Sequence, residues 1–152
     1  MKLLVGLDFS EGTETIVNKV EVLADALSAK VYLLHVAESD PDFVGWEAGP
    51  QKVRDDVARK FHDEHRQIQK IASRFRSAGL DTTALVVQGA TVEKILEEGS
   101  RLNVDLIVVG SHGRGVAYQL LVGSVSEGVL HKSQCPVLII PTRERSLDSL
   151  HP

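Results

Sequence analysis

The sequence predicts a single doubly wound α/β domain, built on a five-stranded parallel sheet with helices on both faces. Three observations lead to this fold class. Short apolar runs alternate with amphipathic stretches along the chain, in the order βαβαβαβαβ. The apolar runs are continuous, which is typical of strands that are buried on both faces. The chain has 152 residues, 43% of them hydrophobic, and no internal linker or repeat, as expected for one domain.

The first half of the chain predicts two strands and two helices. A continuous apolar run at 3–7 indicates the first strand, and apolar residues at helical spacing over 16–27 indicate the first helix. The second strand is predicted at 31–36. Residues 37–50 are rich in glycine and proline, so we expect a loop there. Apolar residues then recur at helical spacing over 53–77, which predicts a long amphipathic helix.

The second half predicts three strands separated by two shorter helices. The strands are expected at 82–88, 105–110 and 136–141. Thr91 is a candidate cap for the helix that follows the third strand. The last helix is expected at 124–132, after a glycine-rich stretch.

The arrangement of the strands places the candidate site. Five strands are compatible with the order 2-1-3-4-5 or 3-2-1-4-5, and we predict the second. Strands 1 and 4 are then neighbours at the point where the order reverses, and doubly wound sheets bind ligands beyond the carboxyl ends of such strands. The loops that follow these two strands, 8–13 and 110–115, are also the richest in glycine and serine.

The second of these loops predicts a phosphate-binding site. Glycines allow the backbone to approach a ligand closely, and the free N–H groups at a helix N-terminus favour anions. An arginine can add a charge-assisted contact. The residues of this site are Gly110, Gly113, Arg114, Gly115, Gly123, Ser124 and Ser126. Their spacing fits neither the Walker A motif nor the dinucleotide-binding glycine motif.

The pattern Gly110-x2-Gly113-x9-Gly123-Ser124 resembles the ATP-binding signature of the universal stress protein family. The segments 4–10, 105–115 and 135–141 are also similar to that family, and the resemblance covers about residues 2–141. It implies a nucleotide-dependent regulatory module in the stress response. It further implies that ATP, ADP or AMP is the ligand, with Mg²⁺ bound through the phosphates.

The resemblance also implies roles for individual residues. Asp8 would lie beside the adenosine, Val36 would meet adenine through its backbone, and Gly89 would line the nucleoside pocket. The glycine loop would close over the ribose and phosphates. The phosphates would be held by Arg114, Gly123, Ser124, Val125 and Ser126, partly with Mg²⁺.

At two positions a helix- or turn-capping role is an alternative to nucleotide binding. Two other functions of the whole protein are also alternatives. Asp8 could cap the turn into the first helix, and Ser124 forms a capping box with Glu127. A slow ATPase or autophosphorylating enzyme is an alternative function, with Ser10, Ser111, Ser124 and Ser126 as phosphate acceptors. A flavodoxin-like FMN carrier is a further one, because the loop at 10–15 is rich in hydroxyl groups.

The last strand predicts a homodimer. Val137, Leu138, Ile139 and Ile140 would form an apolar edge strand, and pairing with the same strand of a second copy would cover that edge. Family resemblance implies the same arrangement. A regulated protein partner is also expected. The domain is predicted at 1–142, followed by a polar tail at 143–152.

Composition narrows the class of protein. The net charge of −4 disfavours a nucleic-acid binder, which needs a basic face. No apolar run approaches the ~20 residues of a membrane span. Cys135 is the only cysteine, so an intramolecular disulfide is excluded and a reducing compartment is favoured. We therefore expect a cytoplasmic protein. His62 and His65 lie one helical turn apart, but no third metal ligand is apparent.

Overall fold

Strands and helices alternate along the chain. The computed structural model describes residues 1–38, 51–112 and 122–142, and at 51–53 it describes the backbone alone. Within these ranges, no helix has both the length and the apolarity that crossing a membrane requires. The elements are β1 Lys2–Gly6, α1 Thr13–Leu27, β2 Lys30–Ala37, α2 Gln51–Ser77, β3 Thr82–Gln88, α3 Thr91–Arg101, β4 Leu106–Gly110, α4 Ser124–Lys132 and β5 Val137–Ile140.

The five strands form one parallel sheet in the order β3-β2-β1-β4-β5, which confirms the predicted fold class and order. The central strand β1 pairs with β2 on one side, where Leu3 lies beside Val31, and with β4 on the other, where Leu3 lies beside Leu106. The carboxyl ends of β1, β2 and β4 therefore lie at the same end of the sheet.

The helices cover the sheet in two pairs. Successive residues of a strand point to opposite faces, so Val5 packs with α1 and α2 whereas Leu4 packs with α3 and α4. We call the cluster of buried side chains that Val5 forms with α1 and α2 the α1–α2 core. Its fully buried helix residues include Val20 of α1 and Ile68 and Phe75 of α2. Each face of the sheet is thus closed, which explains why the strands are apolar throughout.

Two predicted helix caps are wrong. Thr91 and Ser124 are the first residues inside α3 and α4, and the cap positions belong to Ala90 and Gly123, which make no side-chain cap hydrogen bond. Gly123 has an extended conformation and its N–H donates to the Ser111 carbonyl at 2.6 Å. This long-range hydrogen bond fixes where α4 begins, so Ser124 and Glu127 do not form the expected capping box.

Candidate functional site

The carboxyl ends of β1, β2 and β4 open onto a cavity of about 400 Å³. Its floor is formed by the strand ends, including Gly6, Leu34 and Val109. The first turn of α4 closes one end, and side chains of α2 form a side wall. This is the end of the sheet at which doubly wound folds bind their ligands.

Most of the predicted nucleotide-binding residues that the structure describes line this cavity. These are Asp8, Val36, Gly110, Gly123, Ser124, Val125 and Ser126. Gly113, Arg114 and Gly115 lie outside the described residues, as do residues 39–50 of the loop predicted at 37–50 and the tail predicted at 143–152. Ala37, the first residue of that predicted loop, belongs to β2.

Gly89 is placed differently from the expectation. It follows β3 with a φ of 141°, and its N–H donates to the Ala37 carbonyl at 3.2 Å. It therefore prolongs the pairing of β2 with β3, and it is absent from the cavity wall that the described residues form. Thr91, two residues further on, lines the cavity in its place.

Asp8 caps its own turn and lines the cavity at the same time. Its Oδ1 accepts a hydrogen bond from the Ser10 N–H at 2.9 Å. The residue at the N-cap of α1 is Gly12, so Asp8 caps the turn and not the helix. An ionised carboxylate can accept several hydrogen bonds, so this contact leaves Asp8 with acceptor capacity for a ligand.

The backbone N–H and C=O of Val36 face the β1 side of β2, at a level beyond the last residue of β1. The Leu7 N–H donates to the Leu34 carbonyl at 2.9 Å, so Leu34 directs its backbone groups to the β1 side. Alternate residues of a strand bond to the same neighbour, which places the N–H and C=O of Val36 on that side as well. Since β1 ends at Gly6, these groups can offer a ligand one donor and one acceptor.

The N-terminus of α4 forms the polar end of the cavity. Ser124 is exposed, whereas Ser126 is buried and its hydroxyl donates to the Gly110 carbonyl. At Gly110 an added Cβ would lie 2.8 Å from Cδ1 of Ile16, so the strand end has little space for a side chain. The first N–H groups of a helix lack intrahelical acceptors and carry positive potential. This end of the cavity can therefore bind an anion.

Ser111 holds this helix terminus in place. Its N–H donates to the Ile140 carbonyl at 2.8 Å, and its own carbonyl accepts from Gly123. Its Oγ accepts from the Thr142 N–H at 3.0 Å and lies 2.9 Å from Nδ1 of His112. The ends of β4 and β5 are thereby tied to the residue before α4. Ser111 is buried, so its predicted role as a phosphate acceptor is not supported by its position.

Sequence reasoning missed the contribution of α2 and of one strand residue. Lys60 and Glu64 of α2 line the cavity, together with His35 of β2. Glu64 has a side chain only 14% exposed on a helix whose other acidic side chains are largely exposed. No local pattern distinguishes it, because its position depends on how α2 packs on the sheet. His62 and His65 are exposed, and the described residues contain no group of three metal-ligating side chains.

Cys135 plays no part in the cavity. Its Sγ lies 3.4 Å from the Pro136 carbonyl and 3.7 Å from the Val104 carbonyl. Partial burial raises the pKa of this thiol, which lowers the fraction of reactive thiolate at neutral pH. The geometry agrees with the interpretation of Cys135 as an unreactive thiol.

The model of the universal stress protein family matches residues 1–141. This chain belongs to the universal stress protein family. The universal stress protein A homolog 2 of Coxiella burnetii is 32% identical over 140 residues, a match that covers 91% of this chain and 93% of that protein. The solved structure of the protein MJ0577 of Methanocaldococcus jannaschii has a TM-score of 0.79 and 28% identity, covering 95% of this chain and 97% of that one.

A second solved structure with this fold contains a ligand. A universal stress protein solved in complex with cAMP matches with a TM-score of 0.65 and 24% identity. The match covers 94% of this chain and 98% of that one. At this identity the likeness shows a shared universal stress protein fold.

Proposed function

We propose that this universal stress protein binds an adenine nucleotide in the cavity and acts as a dimeric, nucleotide-dependent regulatory module in the cytoplasmic stress response. One observation carries the proposal. Asp8, the backbone of Val36 and the N-terminus of α4 surround a single cavity. These groups are complementary to the three parts of a nucleotide: its sugar, its base and its phosphates. The cAMP complex of a protein with the same fold supports this class of ligand.

The base and the sugar would contact the ends of β2 and β1. Adenine offers a donor amino group beside an acceptor ring nitrogen, which matches the C=O and N–H of Val36. Asp8 would accept hydrogen bonds from the ribose hydroxyls, and such bonds to a charged acceptor are stronger than neutral ones. Both contacts use groups that the fold leaves facing the cavity.

The phosphates would lie at the N-terminus of α4. The backbone N–H groups of Ser124, Val125 and Ser126 begin this helix, and Arg114 of the glycine loop would add a cation. The hydroxyl of Ser126 already donates to Gly110, so Ser126 would contribute its backbone. Mg²⁺ prefers oxygen ligands and commonly binds through substrate phosphates and water, which fits ATP as the ligand.

Two substitutions at Asp8 test the proposal. Asp8→Asn retains an oxygen that can cap the Ser10 N–H but loses the charge, whereas Asp8→Ala loses both. We expect Asp8→Ala to weaken Mg-ATP binding by about 10- to 100-fold, the value of one charge-assisted hydrogen bond. Asp8→Asn should weaken binding to an intermediate degree with unchanged stability. Isothermal titration calorimetry and urea unfolding provide the two measurements.

The Asp8 variants also distinguish ligand binding from a purely structural role of Asp8. If Asp8 only caps its turn, Asp8→Asn would bind Mg-ATP as the wild type does. Wild-type protein freed of nucleotide that takes up no Mg-ATP, ADP or AMP would contradict the proposed function as a whole.

The homodimer is proposed through β5. This strand pairs with β4 on one side and lies at the edge of the sheet. Leu138 of β5 is 36% exposed, so this edge carries an exposed apolar side chain. Within the described residues β5 has a strand neighbour on one side only, and an apolar edge of this kind favours pairing with a further strand. Two-fold pairing of Val137–Ile140 with itself would give a closed dimer.

A charge on the edge strand tests the dimer. Leu138→Lys should weaken dimerisation by about tenfold or more, because a lysine on an edge strand opposes pairing with another strand. Sedimentation equilibrium measures the effect. Val22→Lys is the matched control, since Val22 is apolar and 71% exposed on α1. A wild-type chain that sediments as a monomer, or a Leu138→Lys variant that dimerises as tightly as Val22→Lys, argues against the β5 dimer.

The alternative of an autophosphorylating enzyme retains one serine in the cavity. The hydroxyls of Ser111 and Ser126 belong to buried side chains with hydrogen-bond partners. Ser124 is exposed and lines the cavity at its anion-binding end. Ser10 is half-buried after β1 and is not among the described residues that line the cavity. Of the four candidate serines, Ser124 alone is exposed at the cavity wall, so phosphoryl transfer to the protein would use Ser124.

A further inference from the structure

His35 is a buried histidine beside the proposed nucleotide site, and three contacts hold its ring. It lies in the carboxyl-terminal part of β2 and is 7% exposed. Its Nδ1 lies 2.7 Å from the Leu7 carbonyl oxygen. Its Nε2 lies 3.0 Å from Oε2 of Glu64 on α2. The ring packs against that of Phe9, with 4.4 Å between the centroids and 31° between the planes.

These contacts decide where hydrogen atoms are needed around the His35 ring. The Leu7 carbonyl can only accept, so Nδ1 must carry a hydrogen. In a neutral imidazole Nε2 would then be an acceptor, and it would face a carboxylate that also accepts only. A contact of 3.0 Å between Nε2 and Oε2 is favourable only with a proton between them. Both ring nitrogens of His35 thus face oxygen acceptors, a geometry that favours one additional proton between His35 and Glu64.

The charged groups around the pair come from three segments. A groove of about 400 Å³ adjoins the cavity, and the two share Asp8, His35, Lys60 and Glu64. The charged residues that line them besides Glu64 are Asp8, Glu38, Asp56, Arg59, Lys60 and Asp63, and the titratable His112 lines the cavity beyond β4. The Nζ of Lys60 lies 4.0 Å from Oε1 of Glu64, on the carboxylate oxygen that does not face His35. Among the described lining residues, α1 contributes only Ile16 and β3 contributes none.

The same ring contacts both neighbours of Asp8. The Leu7 carbonyl precedes Asp8 in the chain, and Phe9 follows it. Phe9 has a φ of 58°, in the left-handed region that bulky side chains rarely adopt. Backbone outliers of this kind persist where surrounding contacts enforce them, and they concentrate at functional sites. The His35 ring is such a contact, because it packs against Phe9 and bonds to the residue before Asp8.

We propose that His35 is a positioning residue for Asp8, and that the proton it shares with Glu64 maintains this position. This rests on the proposed nucleotide binding. When the pair loses its proton, lone pairs of Nε2 and Oε2 face each other and the contact opens. The hold on Leu7 and Phe9 then weakens, and Asp8 moves from its place at the cavity wall. Nucleotide affinity therefore falls with rising pH, by up to about tenfold per pH unit for one linked proton.

The variant Glu64→Gln keeps a contact with Nε2 of His35 but removes the need for the additional proton. A glutamine amide can donate to Nε2 of a neutral imidazole, so the contact survives without the additional proton. We expect the wild-type Kd for Mg-ATP, measured by calorimetry between about pH 6 and 9, to rise by at least about fivefold. The Glu64→Gln variant should change by less than about twofold over the same range.

The control removes a charge at the other end of the sheet. Asp81 precedes β3 and has a side chain 72% exposed, and Asp81→Asn should follow the wild-type pH profile. Wild type and Glu64→Gln with the same pH dependence would overturn the positioning role, even where both bind Mg-ATP.

A second measurement reports on the proton without any nucleotide. Nitrogen and carbon NMR of the ligand-free protein at neutral pH identifies the protonation of the His35 ring and of the Glu64 carboxyl group. Protons on both ring nitrogens of His35, or a proton on the Glu64 carboxyl group, support the shared proton. A neutral ring beside an ionised Glu64 overturns it. Failure of the proposed function appears separately, as absence of Mg-ATP binding at every pH.

Discussion

Ser124→Glu is expected to lower the affinity for Mg-ATP by about 100-fold or more, while leaving the fold at least as stable as the wild type. Ser124 is the first residue of α4, and it is exposed where it lines the cavity. A carboxylate there would repel the phosphates. Two like charges 4 Å apart near a protein surface interact by about 4 kcal/mol.

The same substitution is favourable for the helix itself. A negative charge in the first turn interacts well with the helix dipole, by about 0.3–1 kcal/mol. Binding and stability should therefore change in opposite directions, which a general loss of structure cannot produce. Calorimetry with Mg-ATP and urea unfolding measure the two quantities.

Ser100→Glu is the matched control for Ser124→Glu. It is the same substitution at an exposed position of α3, and Ser100 does not line the cavity. It should bind Mg-ATP as the wild type does. Normal binding by Ser124→Glu would show that the phosphates do not lie at the N-terminus of α4.

Phe75→Ala is expected to destabilise the domain by about 3–5 kcal/mol, a large part of the roughly 5–15 kcal/mol that holds a typical domain folded. Phe75 lies on α2, is fully buried and belongs to the α1–α2 core with Ile68. Its removal leaves a cavity between α2 and the sheet. Nucleotide binding should weaken as the population of folded protein falls. The helix α2 also carries Lys60 and Glu64, which line the cavity.

Urea unfolding at constant temperature measures the effect of Phe75→Ala. Val22→Ala serves as the comparison, because Val22 is 71% exposed on α1, and it should change the free energy of unfolding by less than about 0.5 kcal/mol. A cost below about 1 kcal/mol for Phe75→Ala would mean that α2 contributes little to the core.

Much of the fold was predictable because local and global signals agree. The continuous apolar run of β1 indicated a strand covered on both faces, and Leu4 and Val5 do pack into opposite cores. The prediction that the loops after β1 and β4 lie close together followed from the predicted strand order. The structure confirms that order. The helix caps were mistaken because a cap depends on backbone angles. At Gly123 those angles accompany a hydrogen bond to Ser111 that no local pattern reveals.

The sequence by itself determined the class of fold, the position of the candidate site along the chain and the family. Periodicity and glycine spacing are local properties, and they are written directly in the residue order. Only the tertiary structure decided that Gly89 pairs with Ala37 away from the cavity wall formed by the described residues, that Lys60 and Glu64 line that wall, and that His35 contacts Glu64. Those contacts join residues from different elements, so they depend on how α2 packs against the sheet, which residue order alone does not specify.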